Sequence, residues 1–416
     1  MAYFIMKNRL SISFFFFICI SIYFMPLFFG VVNEPSGRYV EQVDIVPEFY
    51  LIASFIFFLC PLSDFIYTKL LPRKINIFNS GNNDIARNNV ILETQTLSLI
   101  ILILISFILQ YVVSGPALLS ADKSMVLEAK SRWTTLNTTA SMIALCFLSL
   151  LKKESIKTKH YNLLLFFTFI SLAFNIYIGH RSNAAIAFLG VCIIFFIDQR
   201  LDLVVRNNKK KILLVIAVSF FFFIYKFIYI AVKMNDFQLV AEKLASDDFF
   251  VTAFTYSEPF TTQGIFNRVI SDSYIVECSN IAFIPVLILP AMNEYIDLES
   301  CKYNYLIQRD LFPEVDYGVG SNIWAEFFSL GGYFSLFTLS VIFLICLICI
   351  YHLYRNVYSI LAKSSISVAL VYICFYSNRK DLFLLVGILK RIVLTLLIIY
   401  VISFIIRKLM YFSRWR

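Results

Sequence analysis

Residues 12–32 read ISFFFFICISIYFMPLFFGVV, an apolar stretch without a single charge. LSLIILILISFILQYVV at 97–113 repeats the pattern, and ILLVIAVSFFFFIYKFIYIAV at 212–232 interrupts it only with Lys226. Each reaches or approaches the roughly 20 residues that carry an α-helix across a hydrocarbon core. The runs are continuously apolar and do not alternate, which selects helices over a membrane barrel. The expected class is therefore an all-α polytopic integral membrane protein.

Composition agrees. Of 416 residues, 60% are hydrophobic and 15% charged, and mean hydropathy is +0.78. A soluble chain carries about 25% charged residues. The net charge of +9 does not describe a nucleic-acid footprint, because Lys and Arg gather in short clusters between apolar runs. Lys152, Lys153, Lys157 and Lys159 form one such cluster; Arg200, Arg206, Lys209, Lys210 and Lys211 form another. That is the pattern of cytoplasmic loops under the positive-inside rule.

We read ten spans: 10–32, 49–67, 90–113, 134–151, 161–178, 184–197, 212–232, 333–354, 364–376 and a last one ending near Ile406. The fifth and sixth are separated by a polar turn, Gly179-His180-Arg181-Ser182-Asn183. Lys7 and Arg9 before the first span resemble a secretory signal. Such a signal has an apolar region of about 7–15 residues and a small-residue cleavage site; the stretch here is longer and no such site follows. An uncleaved first helix is expected. With both termini cytoplasmic, the cytoplasmic segments hold 21 of the 36 Lys and Arg residues. The chain then divides into helices one to seven (1–232), a long external segment (233–332), and helices eight to ten with a short tail (333–416).

The external segment is polar and aromatic, and 281–292 within it is apolar, too short to cross, and carries Pro285 and Pro290. It reads as an interfacial or re-entrant element. Cys278 and Cys301 are the two cysteines outside apolar spans. Either they pair, closing a loop worth roughly 3 kcal/mol in a chain-entropy model, or they are two separate thiols. Asp247-Asp248 reads as a solvated turn rather than a metal pair. No phosphate loop, zinc-type spacing or dinucleotide fingerprint is present, so neither cofactor nor metal is expected.

External cations stand out: Arg181, Arg268, Arg309, Arg379, Lys380, and the pair Lys390 and Arg391 inside the last apolar stretch. One at a time they read as snorkelling side chains. Together they oppose the charge bias of an external face and point to a shared anionic ligand, with arginine's planar fork suited to phosphate. His180 is the external histidine of the three. The stretch GVGSNIWAEFFSLGG at 318–332 has glycines that permit close approach or positive φ. Ser321 or Asn322 can cap a following helix, and Glu326 falls in its first turns. Facing the basic cluster, that carboxylate reads as an orienting or acid–base group.

The topology, the His180-Arg181-Ser182 turn, the Gly318, Gly320, Ser321 and Glu326 segment, and Ser377-Asn378-Arg379-Lys380-Asp381 before the last span resemble the O-antigen polymerases. These are Wzy-type polymerases of oligosaccharide repeat units. Lys380 stands where that family more commonly has a small residue. The resemblance implies a GT-C-like architecture and a metal-independent glycosyltransferase of the bacterial inner membrane, acting at the periplasmic face. Its substrate would be an oligosaccharide on undecaprenyl pyrophosphate, with membrane lipid and a chain-length regulator protein as partners. Arg181 and Arg379 would bind pyrophosphate, with Arg268, Lys380, Lys390 and Arg309 as further cations. Glu326 would orient them or activate the acceptor, with His180 as a second base candidate. An O-antigen ligase and a polysaccharide flippase are the alternatives.

Overall fold

Every one of the ten apolar stretches contains a helix in the computed structural model, which describes residues 2–37, 39–70, 82–120, 125–126, 129–151, 156–233, 236–245, 249, 257–276, 302–315 and 318–413. Cys278, Cys301, Asp247, Asp248 and the 281–292 stretch lie outside the described residues. The first half of the chain comprises α1 (Ala2–Lys7), α2 (Ile12–Tyr23), a hairpin of β1 (Val31–Ser36) and β2 (Tyr39–Asp44), α3 (Pro47–Leu70), α4 (Asn82–Ser114), α5 (Arg132–Leu150), α6 (Thr158–Tyr177), α7 (Arg181–Phe196), α8 (Leu201–Asn207) and α9 (Lys209–Lys233). There follow α10 (Phe237–Ala245), α11 (Glu258–Ser271), α12 (Tyr303–Leu311), α13 (Ile323–Ser329), α14 (Gly332–Asn356), α15 (Ile360–Val371) extended by a π-turn Tyr372–Tyr376, and α16 (Leu382–Ser413). Among the described residues six helices, α3, α4, α5, α6, α14 and α16, are long and apolar enough to cross a membrane. Three more, α2, α7 and α15 with its π-turn, are shorter apolar helices. The chain is an all-α polytopic membrane protein.

The first span departs from expectation. Its helix stops at Tyr23, and a 3-10 turn at Met25–Phe28 leads through Gly30 (φ +72°) into the hairpin. Pro26 has no N–H to continue the α-helical ladder, and Gly30 takes a backbone conformation that a side chain resists. Residues 31 and 32, apolar and β-branched, therefore begin a strand, and Val31 pairs with Asp44.

The hairpin receives α11 from the long external segment. At Gly264 the two backbones approach so closely that a Cβ would lie 2.0 Å from the Asn33 carbonyl oxygen. Asn267 locks the contact: its Oδ1 accepts from Val46 N (2.9 Å) and its Nδ2 donates to the Asp44 carbonyl (3.2 Å). This docking fixes where α11 begins, which matters for the site.

At the centre of the bundle stands α5, which packs against α4, α6, α7 and α15. Apolar packing alone does not hold helices together in lipid, so small and polar residues carry the contacts. Asn137 Nδ2 donates to the Ile103 carbonyl (3.0 Å) and to Ser106 Oγ (3.1 Å), while its Oδ1 accepts from Ser171. Ser141 joins Ser171 at 2.7 Å, and Thr138 donates to Asn175 Oδ1 at 2.8 Å. At the end of α2 away from the hairpin, Asp198 gathers Arg9, Arg355 and the Tyr351 hydroxyl. That network ties α2, α7 and α14 together at one end, leaving the other end to be shaped by the hairpin and α11.

Candidate functional site

The turn between α6 and α7 is where the site begins. Gly179 adopts φ +88°, and the His180 amide donates to the Asn175 carbonyl at 2.8 Å. The sharp reversal starts α7 at Arg181, so the arginine sits in a first helical turn. Arg379 comes from the connection between the π-turn and α16, with its amide donating to the Tyr376 carbonyl at 2.9 Å. Its guanidinium lies 5.3 Å from the centre of the Tyr376 ring, a cation–π distance, and forms an ion pair with Glu258, the first residue of α11.

Arg181 and Arg379 line the same cavity, of about 430 Å³. Its body is apolar, built by Phe15, Ile18, Cys19 and Ile22 of α2 and by Ala185, Phe188 and Leu189 of α7. Its rim is polar, with Arg181, Ser182, Ser257, Glu258 and Arg379. The arrangement suits an amphiphile with a long apolar portion and an anionic head. Burial disfavours charge on Arg379, but Glu258 and the phenol oxygens of Tyr376 and Tyr23 outweigh it, and its pKa lies above the ordinary arginine value. Arg379 is a permanent cation.

The glycine-containing segment and the arginine turn, far apart in sequence, meet beside this cavity. The Ile323 amide donates to the Ser377 carbonyl (3.0 Å), Trp324 Nε1 to Asn378 Oδ1 (3.0 Å), and the Leu382 amide to Glu326 Oε2 (2.7 Å). Trp324 is fully buried. The short helix α13 thus clamps the turn that carries Arg379. Asn322, not Ser321, caps α13, accepting from the Ala325 amide at 2.8 Å; Ser321 instead donates to Asn304.

Glu326 differs from the sequence expectation. It is 1% exposed and does not line the cavity. Its carboxyl shares the start of α16 with that of Asp381, which caps the helix by accepting from the Leu384 amide at 2.9 Å. Burial first, and then the Asp381 charge, push the Glu326 pKa upward. Burial does the same to Asp381, partly offset by the Leu384 amide and Lys380. Two buried carboxyls so placed resist ionising together. Glu326 therefore holds the frame, and the orienting carboxylate for Arg379 is Glu258.

The other expected residues are dispersed. Arg268, on α11, is engaged by Asp272 (2.8 Å) and Glu34 (4.0 Å), and Arg309 by Asp310 (2.5 Å); both are absent from the cavity lining. His180, Lys380 and Lys390 also do not line it, and the Lys380 charge favours the ionised form of Asp381. Gly318 and Gly320 have open space where a Cβ would stand and no positive φ, so close approach does not require glycine there. Gly332, at φ +64°, is the glycine of that segment whose backbone does. Among the described residues, no group of three or more His, Cys, Asp and Glu side chains could hold a metal ion.

Sequence reasoning missed Glu258. Ser257-Glu258-Pro259 carries a helix-start signature, with a capping residue followed by proline in the first turn. What it could not show is that this helix start faces Arg379. Set against known protein families, curated proteins and solved structures, the chain matches none.

Proposed function

We propose that this chain is a membrane glycosyltransferase of the O-antigen polymerase type, joining undecaprenyl-pyrophosphate-linked oligosaccharide repeat units into a surface polysaccharide. The observation that carries the reading is the placement of Arg181 and Arg379 at the rim of one apolar cavity. In this reading the ten helices cross the bacterial inner membrane in a GT-C-like arrangement, both termini are cytoplasmic, and the cavity opens on the periplasmic side. A chain-length regulator is the protein partner.

The chemistry follows from the rim. The polyprenyl chain occupies the apolar body, and the pyrophosphate meets Arg181 and Arg379. As the acceptor hydroxyl attacks the anomeric carbon of the donor, the bond from that carbon to the pyrophosphate oxygen breaks. Negative charge then accumulates on the leaving group, where fixed cations stabilise it most. Glu258 positions Arg379 before the anion arrives. Once the pyrophosphate takes over Arg379, Glu258 is the rim carboxylate available to accept the hydroxyl proton, the role the sequence had suggested for Glu326.

The test is a gel of surface polysaccharide from a strain lacking this gene, with and without its restoration. The reading expects the ladder to collapse to core plus one repeat unit and to return on complementation. Core without any repeat would replace it with the ligase or the flippase, and an unchanged ladder would remove it.

A further inference from the structure

Asn183 leaves α7 on the side opposite Arg181, since residues two apart are separated by about 200° around an α-helix. There it lines a second, smaller cavity of about 50 Å³, together with Lys130 and Arg391. A water needs roughly 10–15 Å³ by this kind of measure, so the space admits a few waters or one tetrahedral oxyanion. No carboxylate lines it.

The charges lining this cavity lack the carboxylate that several other cations have. Arg268, Arg309, Arg355 and Arg379 each face a carboxylate. Lys130 and Arg391 are both exposed and have no ion pair among the described residues; the pKa of Lys130 is lowered, by partial burial of its ammonium and then by the charges of Arg391 and Lys380. Bringing like charges together without a counter-charge costs free energy, and an anion between them reverses the sign. Arg391 also stands nine residues beyond the start of α16, about 13 Å along the helix, where a cation is expensive and marks a ligand path. Beyond it, α16 leaves Val393, Leu394 and Leu397 exposed.

We infer that Lys130, Arg391 and Asn183 form a second phosphate-binding site, separate from the large cavity, that takes one phosphate-class oxyanion. The oxyanion comes from a membrane-lipid headgroup or from free phosphate. Lys130 and Arg391 neutralise it, Asn183 supplies an amide donor, and Lys380 adds to the field. This site stands independently of the polymerase reading.

The experiment is thermal unfolding of the purified full chain in neutral detergent, titrated separately with inorganic phosphate and with phosphatidylglycerol, and with phosphatidylcholine as the uncharged control. At least one anionic probe should stabilise the wild type, and phosphatidylcholine should not. Lys130→Gln and Arg391→Gln should each weaken the apparent affinity about tenfold or more, and Lys130→Arg should restore most of it. Stabilisation by phosphatidylglycerol alone assigns the headgroup, and by phosphate alone the soluble anion. The inference is overturned if neither probe stabilises the wild type. It is equally overturned if the signal persists undiminished in Lys130→Gln and Arg391→Gln, whether or not it vanishes in Arg181→Gln. Because the readout is binding, failure here leaves the polysaccharide ladder test untouched.

Discussion

Arg379 pairs with Glu258 across the mouth of the apolar cavity, joining the turn before α16 to the first residue of α11. The pair links the last apolar helix to a helix of the long external segment. It also makes the cationic rim dependent on a docking event some distance away, because α11 is held by the hairpin.

Removing the carboxylate tests the pair directly. Glu258→Gln keeps the shape and loses both the counter-charge and the proposed proton acceptor, so polymer formation should fall about 10²-fold or more. Arg379→Lys and Arg181→Lys keep the charge but not the planar fork; each should shorten the ladder markedly at unchanged protein level. Full activity in both lysine variants would remove the bidentate role. Ladder length beside an immunoblot of membrane fractions reads all three.

The apolar body can be tested without touching a charge. Ala185 lines the cavity, and Ala185→Phe would place a ring where an apolar chain is proposed to lie. The variant should remain folded, with a melting temperature near that of the wild type, and lose polymerisation. A normal ladder from a well-expressed Ala185→Phe protein would exclude this cavity as the lipid site.

Gly264→Ala probes the docking. The added Cβ would fall 2.0 Å from the Asn33 carbonyl oxygen, so α11 must shift off the hairpin. The expected outcome is reduced thermal stability together with lost activity, since Glu258 moves with its helix. Asn33→Ala leaves the carbonyl in place and should not rescue it.

The buried Glu326 gives a pH dependence with a defined sign. Its folded pKa lies above the unfolded carboxylate value through burial and the neighbouring Asp381. Between the two values the folded state binds more protons than the unfolded one. Stability is therefore full below the unfolded pKa and declines as pH rises toward the folded value, with a slope of up to about 1.4 kcal/mol per pH unit. Glu326→Gln can still accept from the Leu382 amide and should flatten that decline. Melting temperatures measured from acid to mildly alkaline pH decide it; identical slopes in wild type and variant would contradict the assignment.

Asn137→Ala should destabilise the bundle by about 1–2 kcal/mol, because it removes the acceptor of the Ser171 hydroxyl and the amide donor to Ser106 and the Ile103 carbonyl. It lies on α5, outside the large cavity. The ladder should persist in cells while detergent unfolding shifts downward.

The membrane class was legible from residues 12–32, 97–113 and 212–232 alone, because a helix that satisfies its own backbone is the local answer to a continuous apolar run in lipid. The reversal at Gly179 was legible for the same local reason, and α6 ends and α7 begins on either side of it. The hairpin was not. Residues 24–32 look like the end of a helix until Pro26 and Gly30 are weighed against a partner strand and α11, which contribute through long-range pairing. Arg181 and Arg379 could be singled out as cations in unfavourable places. Only the tertiary structure brings them to one cavity, exchanges Glu326 for Glu258 as the facing carboxylate, and sets Lys130 beside Arg391. A carboxylate's role depends on which charge and how much water surround it, and both are properties of the packed chain. Helix formation in lipid is decided residue by residue along the sequence, whereas the electrostatics of the site belong to segments that meet only in the fold.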